Sequence, residues 1–354
     1  MTDPLAATLL HLVNIESVSR SEQALTDWIA HEASAAGLEI EARAGDWIVF
    51  GPSPRPGRDL VVLAGHSDTV PAQDNLPGRI DGDHVLGLGA SDMKASLAVM
   101  LELARWISAR RPRLRADLAF LVFGREELAL SESLLPHIFD TCPMVRQAAL
   151  VVMMEPTANA LHAGCLGNII ASLEFEGVAA HSARPWLGRN AIHEAVFGLQ
   201  RVVAAGVEEV EQEGLVFREV VSVTTVRGGV ANNVIPDLVT CGVNYRYAPK
   251  RTPGEAEARL RELVGPDGRL TVVSNAPPAP VALSNPLLAE LRAAGGMAVE
   301  PKQAWTPVAE FAMAGLDAVN YGPGDPDLAH RRDERVSVAA MVESLDVLRR
   351  WLAG

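Results

Sequence analysis

Hydrophobic positions along this chain follow two rhythms. Residues 5–13 and 22–36 carry apolar side chains at helical spacing, whereas 60–64, 118–123 and 150–154 are short, continuously apolar runs. Runs of that kind predict strands buried on both faces of a mostly parallel sheet. Ser91 and Asp92 are expected to open a helix in which Leu97, Met100, Leu101 and Ala104 share one face. Strand and helix thus alternate through the first half, which implies an α/β layer with helices on both faces.

The middle of the chain reads differently. Strands are predicted at 169–177, 220–226, 238–247 and 270–273, with helices at 190–204 and 253–264, the latter started by Pro253. The order β-α-β-β-α-β is that of a ferredoxin-like α+β module. Gly-rich AGCLGN at 163–168 and Pro-rich NAPPAPVAL at 275–283 bound it as hinges. A helix at 285–294 and a strand at 316–321 then return to the first style. The expected fold class is therefore α/β, with one catalytic domain built from residues 1–166 and 281–354 and a smaller domain, 167–280, inserted in it.

Composition narrows the picture only a little. Of 354 residues, 48% are hydrophobic and 21% charged, which suits a globular chain with real cores. The net charge of −13 argues against nucleic acid and anionic membrane surfaces as partners. No apolar run reaches the about 18 residues of a membrane span, and the start MTDPLAATLLHLVNIES lacks the marks of a signal peptide, so a cytoplasmic protein is expected. Cys142, Cys165 and Cys241 are odd in number and far apart, as free buried thiols would be.

The chemistry lies at the ends of the apolar runs. His66 and Asp68 directly follow 60–64, where ligands of open α/β sheets sit; Asp68 could accept the second ring N–H of His66. Alone, this His-x-Asp pair is a weak signal. Asp92 follows the glycines of GLGASDMK and alone would read as an N-cap; neither a Rossmann third glycine nor a Walker lysine accompanies them. Glu126 and Glu127 end the strand at 118–123, and adjacent carboxylates there need a cation or a raised pKa. One could be a metal ligand and its neighbour a general base. Glu155 ends the next run, and His330 lies in the polar loop after 316–321. Two histidines and three carboxylates without thiolate suit zinc, with cobalt or manganese able to substitute. Two metals need a shared ligand, for which Asp92 is the choice.

With those motifs in view, GHSDTVP, GLGASDMK, REE, MEPT and the late LAH resemble the zinc-dependent aminoacylase and carboxypeptidase family over essentially the whole chain. That family takes in desuccinylases, deacetylases and di- and tripeptidases. The segments GVAAHSARPWLGRNAIH, GGVANNVIPD and VNYRYAP most resemble its actinobacterial succinyl-diaminopimelate desuccinylases. The resemblance implies a two-zinc α/β domain with an inserted lid that pairs two subunits. It implies that Asp92 bridges two zincs, that His66 and Glu155 complete one site, and that Glu127 and His330 complete the other. Glu126 would be the base that activates water and returns the proton to the leaving amine. His181, from the partner subunit, would polarise the scissile carbonyl of an N-acyl amino acid. Arg184, Asn233, Arg246 and Thr306 fall at or beside substrate-contacting segments.

One segment departs from the pattern. Where desuccinylases read Trp-Thr-Asp-Val-Ala-Arg-Phe, this chain reads Trp305-Thr306-Pro307-Val308-Ala309-Glu310-Phe311. If Glu310 faces the pocket, a substrate carboxylate is repelled there and a less carboxylated or more cationic substrate is favoured. If it does not, Arg184 or Arg246 is left to hold the carboxylate. A metal-binding scaffold without catalysis is the reading from another class, and the intact Glu126 speaks against it.

Overall fold

The computed structural model describes residues 3–51 and 54–353. They form two compact units, one of Met1–Ala163, Ala282–Glu300 and Glu310–Gly354, the other of Gly164–Val281 and Pro301–Ala309.

In the first unit an eight-stranded sheet runs in the order Ile40–Ala44, Trp47–Phe50, Asp117–Phe123, Leu60–His66, Ala148–Met153, Ala318–Asn320, Leu161–Ala163, Val299–Pro301. Its four central strands are parallel to one another. Leu60–His66 and Asp117–Phe123 are buried at every residue, which is why they read as unbroken apolar runs. The flanks turn antiparallel, through a hairpin at one side and Leu161–Ala163 at the other. Helix Pro4–Val13 opens with Asp3, whose carboxylate accepts the Leu5 N–H at 2.9 Å, and with proline in its first turn. Ala95–Arg110 packs against Leu60–His66 and against the last helix, Val338–Ala353. That last helix buries Met341, Leu345, Leu348 and Leu352 along one face.

The helix expected from Ser91 begins only at Ala95. Asp92 has φ −121° and ψ 94°, outside helical values, so residues 90–94 form an irregular turn before the regular helix.

In the second unit five antiparallel strands lie in the order Val207–Gln212, Leu215–Gly228, Leu238–Tyr247, Gly167–Glu176, Arg269–Ala276. Helices Ala191–Ala204 and Pro253–Val264 contribute Ala191, Ala195, Val202, Ala256, Leu260 and Val264 to its core. The last four strands have the ferredoxin-like arrangement; the acidic edge strand Val207–Gln212 is an addition to it. Thr252 and Glu255 cap helix Pro253–Val264 reciprocally. The segment Pro301–Ala309 belongs with this unit rather than with the C-terminal part of the first. Leu166 N–H donates to the Ala304 carbonyl at 3.2 Å, and the Trp305 indole to that of Pro277 at 3.0 Å.

Among the described residues no helix is long and apolar enough to cross a membrane. Cys142, Cys165 and Cys241 are free and buried, and burial pushes the Cys165 thiol up to about 11.

Candidate metal centre

Parallel strands all release their chains at the same end, and that fact builds the site. His66 is the last residue of Leu60–His66 and stands beside Phe123, while Ala64 stands beside Met153. The turns that follow therefore carry Glu126, Glu127 and Glu155 to one place. The chain beyond the fourth parallel strand, Ala318–Asn320, brings His330. Asp92 enters from the irregular turn before helix Ala95–Arg110. Ligand sites of open parallel sheets lie at this end.

Distances show how these side chains meet. Asp92 Oδ1 is 3.0 Å from His66 Nε2, and its Oδ2 is 3.5 Å from His330 Nε2. Each carboxylate oxygen thus faces a different histidine. Glu155 Oε1 lies 3.8 Å from His66 Nε2, and Glu127 Oε1 lies 2.8 Å from His330 Nε2. Ligand atoms of His66, Asp92 and Glu127 lie within 4.8 Å of one another, and so do those of His66, Glu126 and Glu155. The donors fit a divalent metal: imidazole and carboxylate in close array, with the two oxygens of Asp92 facing different histidines.

Electrostatics sort the carboxylates. Burial alone would raise the Asp92 pKa, but hydrogen bonds from His330 and His66 outweigh it and hold the group well below the usual range. Glu126 goes the other way. Desolvation first, and then repulsion from Glu155, push its pKa well above that of a free glutamate. Burial would lower the His66 pKa, yet Asp68, Asp92 and nearby Glu126 hold it well above 6.5. Hydrogen bonds to Asp92 and Glu127 lift His330 to about 10.

Asp68 does more than orient His66. The His66 Nδ1 meets the Asp68 backbone carbonyl at 3.0 Å, with the carboxylate farther off at 3.5 Å. The carboxylate instead accepts the Glu126 N–H at 3.0 Å, the Glu127 N–H at 3.1 Å and the Ser19 hydroxyl at 2.7 Å. It therefore holds the turn that presents Glu126 and Glu127. Arg125 and His330 occupy left-handed backbone, with φ of 64° and 60°, which non-glycine residues adopt only when their surroundings impose it. Two buried acids escaped sequence reasoning. Glu22 accepts the Arg20 N–H at 2.8 Å and the Arg125 N–H at 3.1 Å. Glu334 lies against the Asp92 turn, and burial pushes its pKa up to about 7.

The remaining predicted residues fall elsewhere. Within the second unit His181, Arg184 and Asn233 lie exposed on two neighbouring segments: Arg184 N–H donates to the His181 carbonyl at 2.8 Å, and Ser182 N–H donates across to the Asn233 carbonyl at 2.9 Å. His181 Nδ1 accepts the Ala183 N–H at 3.0 Å, which leaves Nε2 to carry the proton of the neutral ring. Arg246 is half-buried in strand Leu238–Tyr247 and donates to Asn244 Oδ1 at 2.9 Å. Thr306 is buried in the same unit, and its carbonyl receives the Cys165 thiol. Glu310 belongs to the first unit and is only 4% exposed. Burial raises its pKa to about 7, against a hydrogen bond from Ser133.

Residues 62–354 match the family model described as peptidase family M20/M25/M40. The chain is 39% identical to a protein of Mycobacterium tuberculosis named as a succinyl-diaminopimelate desuccinylase, over 99% of this chain and 98% of that one. It is 36% identical to the succinyl-diaminopimelate desuccinylase of Corynebacterium glutamicum, over 99% and 96%. Among solved structures it resembles the YXEP protein of Bacillus subtilis, a dinuclear metal-binding peptidase, with TM-score 0.66 at 15% identity over 98% and 96% of the chains.

Metal uptake should release protons. With a pKa of about 10, His330 holds a proton at pH 7 in the absence of a cation, and only the neutral ring can ligate. At least one proton should leave per chain loaded, and apparent affinity should rise about tenfold per pH unit for each proton displaced. Calorimetry at pH 7 in buffers of different ionisation enthalpy measures this; heats independent of buffer would contradict it.

Proposed function

The chain belongs to peptidase family M20/M25/M40, and we propose that it is a two-zinc amidohydrolase that removes the succinyl group from an N-succinyl diamino acid such as succinyl-diaminopimelate. The observation that carries the hydrolase reading is Asp92 set between two histidines, with Glu126 beside them as a carboxyl of raised pKa. The substrate reading rests on two relatives of nearly equal length that bear the desuccinylase name.

His66, Asp92 and Glu155 hold one zinc in this reading, and Asp92, Glu127 and His330 the other; cobalt or manganese could substitute. When bound, zinc supplies Lewis acidity toward the amide carbonyl and lowers the pKa of a water. Glu126 takes the proton of the attacking water and passes it to the amine nitrogen as the C–N bond breaks. A pKa above that of a free glutamate suits a group that must both accept and return a proton. The products are a carboxylate and an amine.

The second unit supplies the lid and a homodimer contact in this proposal. Helix Ala191–Ala204 turns Ala191, Ala195 and Val202 inward, yet leaves Ile192, Val196, Phe197 and Val203 at 43%, 54%, 66% and 75% exposure. An apolar outer face of that kind suits a partner surface. The His181 tautomer places N–H on Nε2, the form able to donate to the carbonyl oxygen of a substrate in the partner's site. Arg184 lies in its turn and Asn233 on the segment paired with it, and with Arg246 and Thr306 they are the proposed substrate contacts.

Glu310 favours a second reading. It stands where the related pattern carries arginine, and its Oε1 has no hydrogen-bond partner among the described residues. A substrate bearing an amine in place of a carboxylate would complement it.

Three outcomes test these proposals. Glu126→Gln should lose at least about a thousandfold in kcat while two metal equivalents remain bound, since the base is not a ligand; a tenth of normal turnover would defeat the assignment.

His181→Ala and Glu126→Gln should each be inactive alone, and their mixture should recover activity after subunit exchange. One site of the mixed dimer then has an intact base and an intact partner histidine. No recovery after exchange verified by mass would place His181 in its own subunit's site or outside catalysis.

For Glu310, kcat/KM toward succinyl-diaminopimelate should rise in Glu310→Arg if the second reading holds. A wild type already at about 10⁴ M⁻¹s⁻¹ or more, and not improved by arginine, excludes it.

A further inference from the structure

The segment that carries Asp92 has an unusual number of backbone donors aimed at one side chain. Glu334 is 2% exposed and sits four residues beyond His330. Its Oε1 accepts the Ser91 N–H at 2.9 Å and the Asp92 N–H at 3.0 Å, and its Oε2 accepts the Gly89 N–H at 3.0 Å. None of these donors has a helical partner, because regular helix starts only at Ala95. Converging N–H groups of this sort form a cradle for the two carboxyl oxygens.

The cradle depends on backbone shape. Gly89 has φ of +75°, and a Cβ there would come within 2.8 Å of the Thr69 side chain. The other end of Glu334 is equally fixed. The Gly87 N–H donates to the Glu334 carbonyl at 3.1 Å, and the next residues, Arg335–Ser337, pair with strand His84–Leu86. The Ser91 hydroxyl donates to the Asp325 carbonyl at 2.8 Å. The turn bearing Asp92 and the loop bearing His330 are therefore joined from both sides.

We propose that Glu334 is a positioning residue of the metal centre, which fixes the backbone of Asp92 relative to the His330 loop so that the two oxygens of Asp92 face two different metals. This rests on the metal-binding reading of the centre. Glu334 touches neither a proposed ligand atom nor a substrate; it acts through the peptide groups of residues 89–92. Removal of its carboxylate lets that turn rotate, and a bridging ligand tolerates rotation poorly because both sites are affected together.

Cobalt(II) titration of the full-length protein, followed by its visible absorption, tests the proposal. Glu334→Gln keeps the volume but sets a donor against the Gly89 N–H. It should need about tenfold to a hundredfold more cobalt to fill the centre, with an altered absorption band for what does bind. Turnover should fall through kcat, with KM changed less than about twofold. Glu334→Ala, which loses all three contacts, should be worse; if it does not fold, the isosteric Gln variant still decides. Wild-type cobalt affinity and absorption in folded Glu334→Gln would overturn the proposal, even with a lowered melting temperature, because that combination is a structural role only. A wild type that takes up fewer than two cobalt ions would instead overturn the two-metal reading and this inference with it.

Discussion

Negative charge crowded into one end of a sheet is the constraint on which the rest of this molecule depends. Asp68, Asp92, Glu126, Glu127, Glu155 and Glu334 gather around two imidazoles. Two carboxylates about 4 Å apart repel by roughly 4 kcal/mol at an intermediate dielectric, so such a cluster must be supplied with donors or cations. The chain supplies both kinds of relief. Backbone N–H groups of Gly89, Ser91 and Asp92 and of Arg125, Glu126 and Glu127 donate to Glu334, Glu22 and Asp68, while Asp92, Glu127 and Glu155 face the histidines.

Parallel topology makes the crowding possible. Four neighbouring strands end together, so residues separated by dozens of positions in sequence become neighbours without any long loop having to close on them. The acids that orient the site come from loops that cross between those ends. Asp68, two residues past one strand, holds the turn after the next strand, and Glu334 reaches back about 243 positions to the Asp92 turn. Rigidity in the strands is thereby passed to residues that lie outside them.

Much of this was legible in the sequence because burial on both faces leaves a plain mark. The three apolar runs stand out, and His66 and Glu155 lie at or just past the ends of two of the strands they form. The hairpin of Ile40–Ala44 and Trp47–Phe50 leaves little trace, since its strands have only five and four residues and the first is largely solvated. Val207–Gln212 is acidic and exposed along an edge, so its pairing comes from its neighbour rather than from its own composition. The helical spacing of Met341, Leu345, Leu348 and Leu352 marks the last helix, Val338–Ala353, which the expectations from sequence do not include. The start of the helix near Asp92 was misplaced because an acid at a helix start ordinarily caps it; here its N–H is taken by Glu334, from a distant part of the chain. Glu22 and Glu334 could not be singled out at all. A glutamate that accepts backbone N–H groups has no local pattern, since its partners are chosen by the fold.

The divergence of Asp92 and Glu126 argues most directly for their separate roles. Both are carboxylates in the same cluster, and both pay for burial. Asp92 recovers that cost from two facing histidines and stays ionised, which is the state a ligand requires. Glu126 has Glu155, Glu127 and Asp92 around it and gains less from His66, so its proton is held more tightly than in water. Carboxyls whose surroundings push their pKa values apart are the usual mark of divided labour in an active site. The same crowding that leaves Asp92 ionised between two histidines thus raises the pKa of Glu126 beside it.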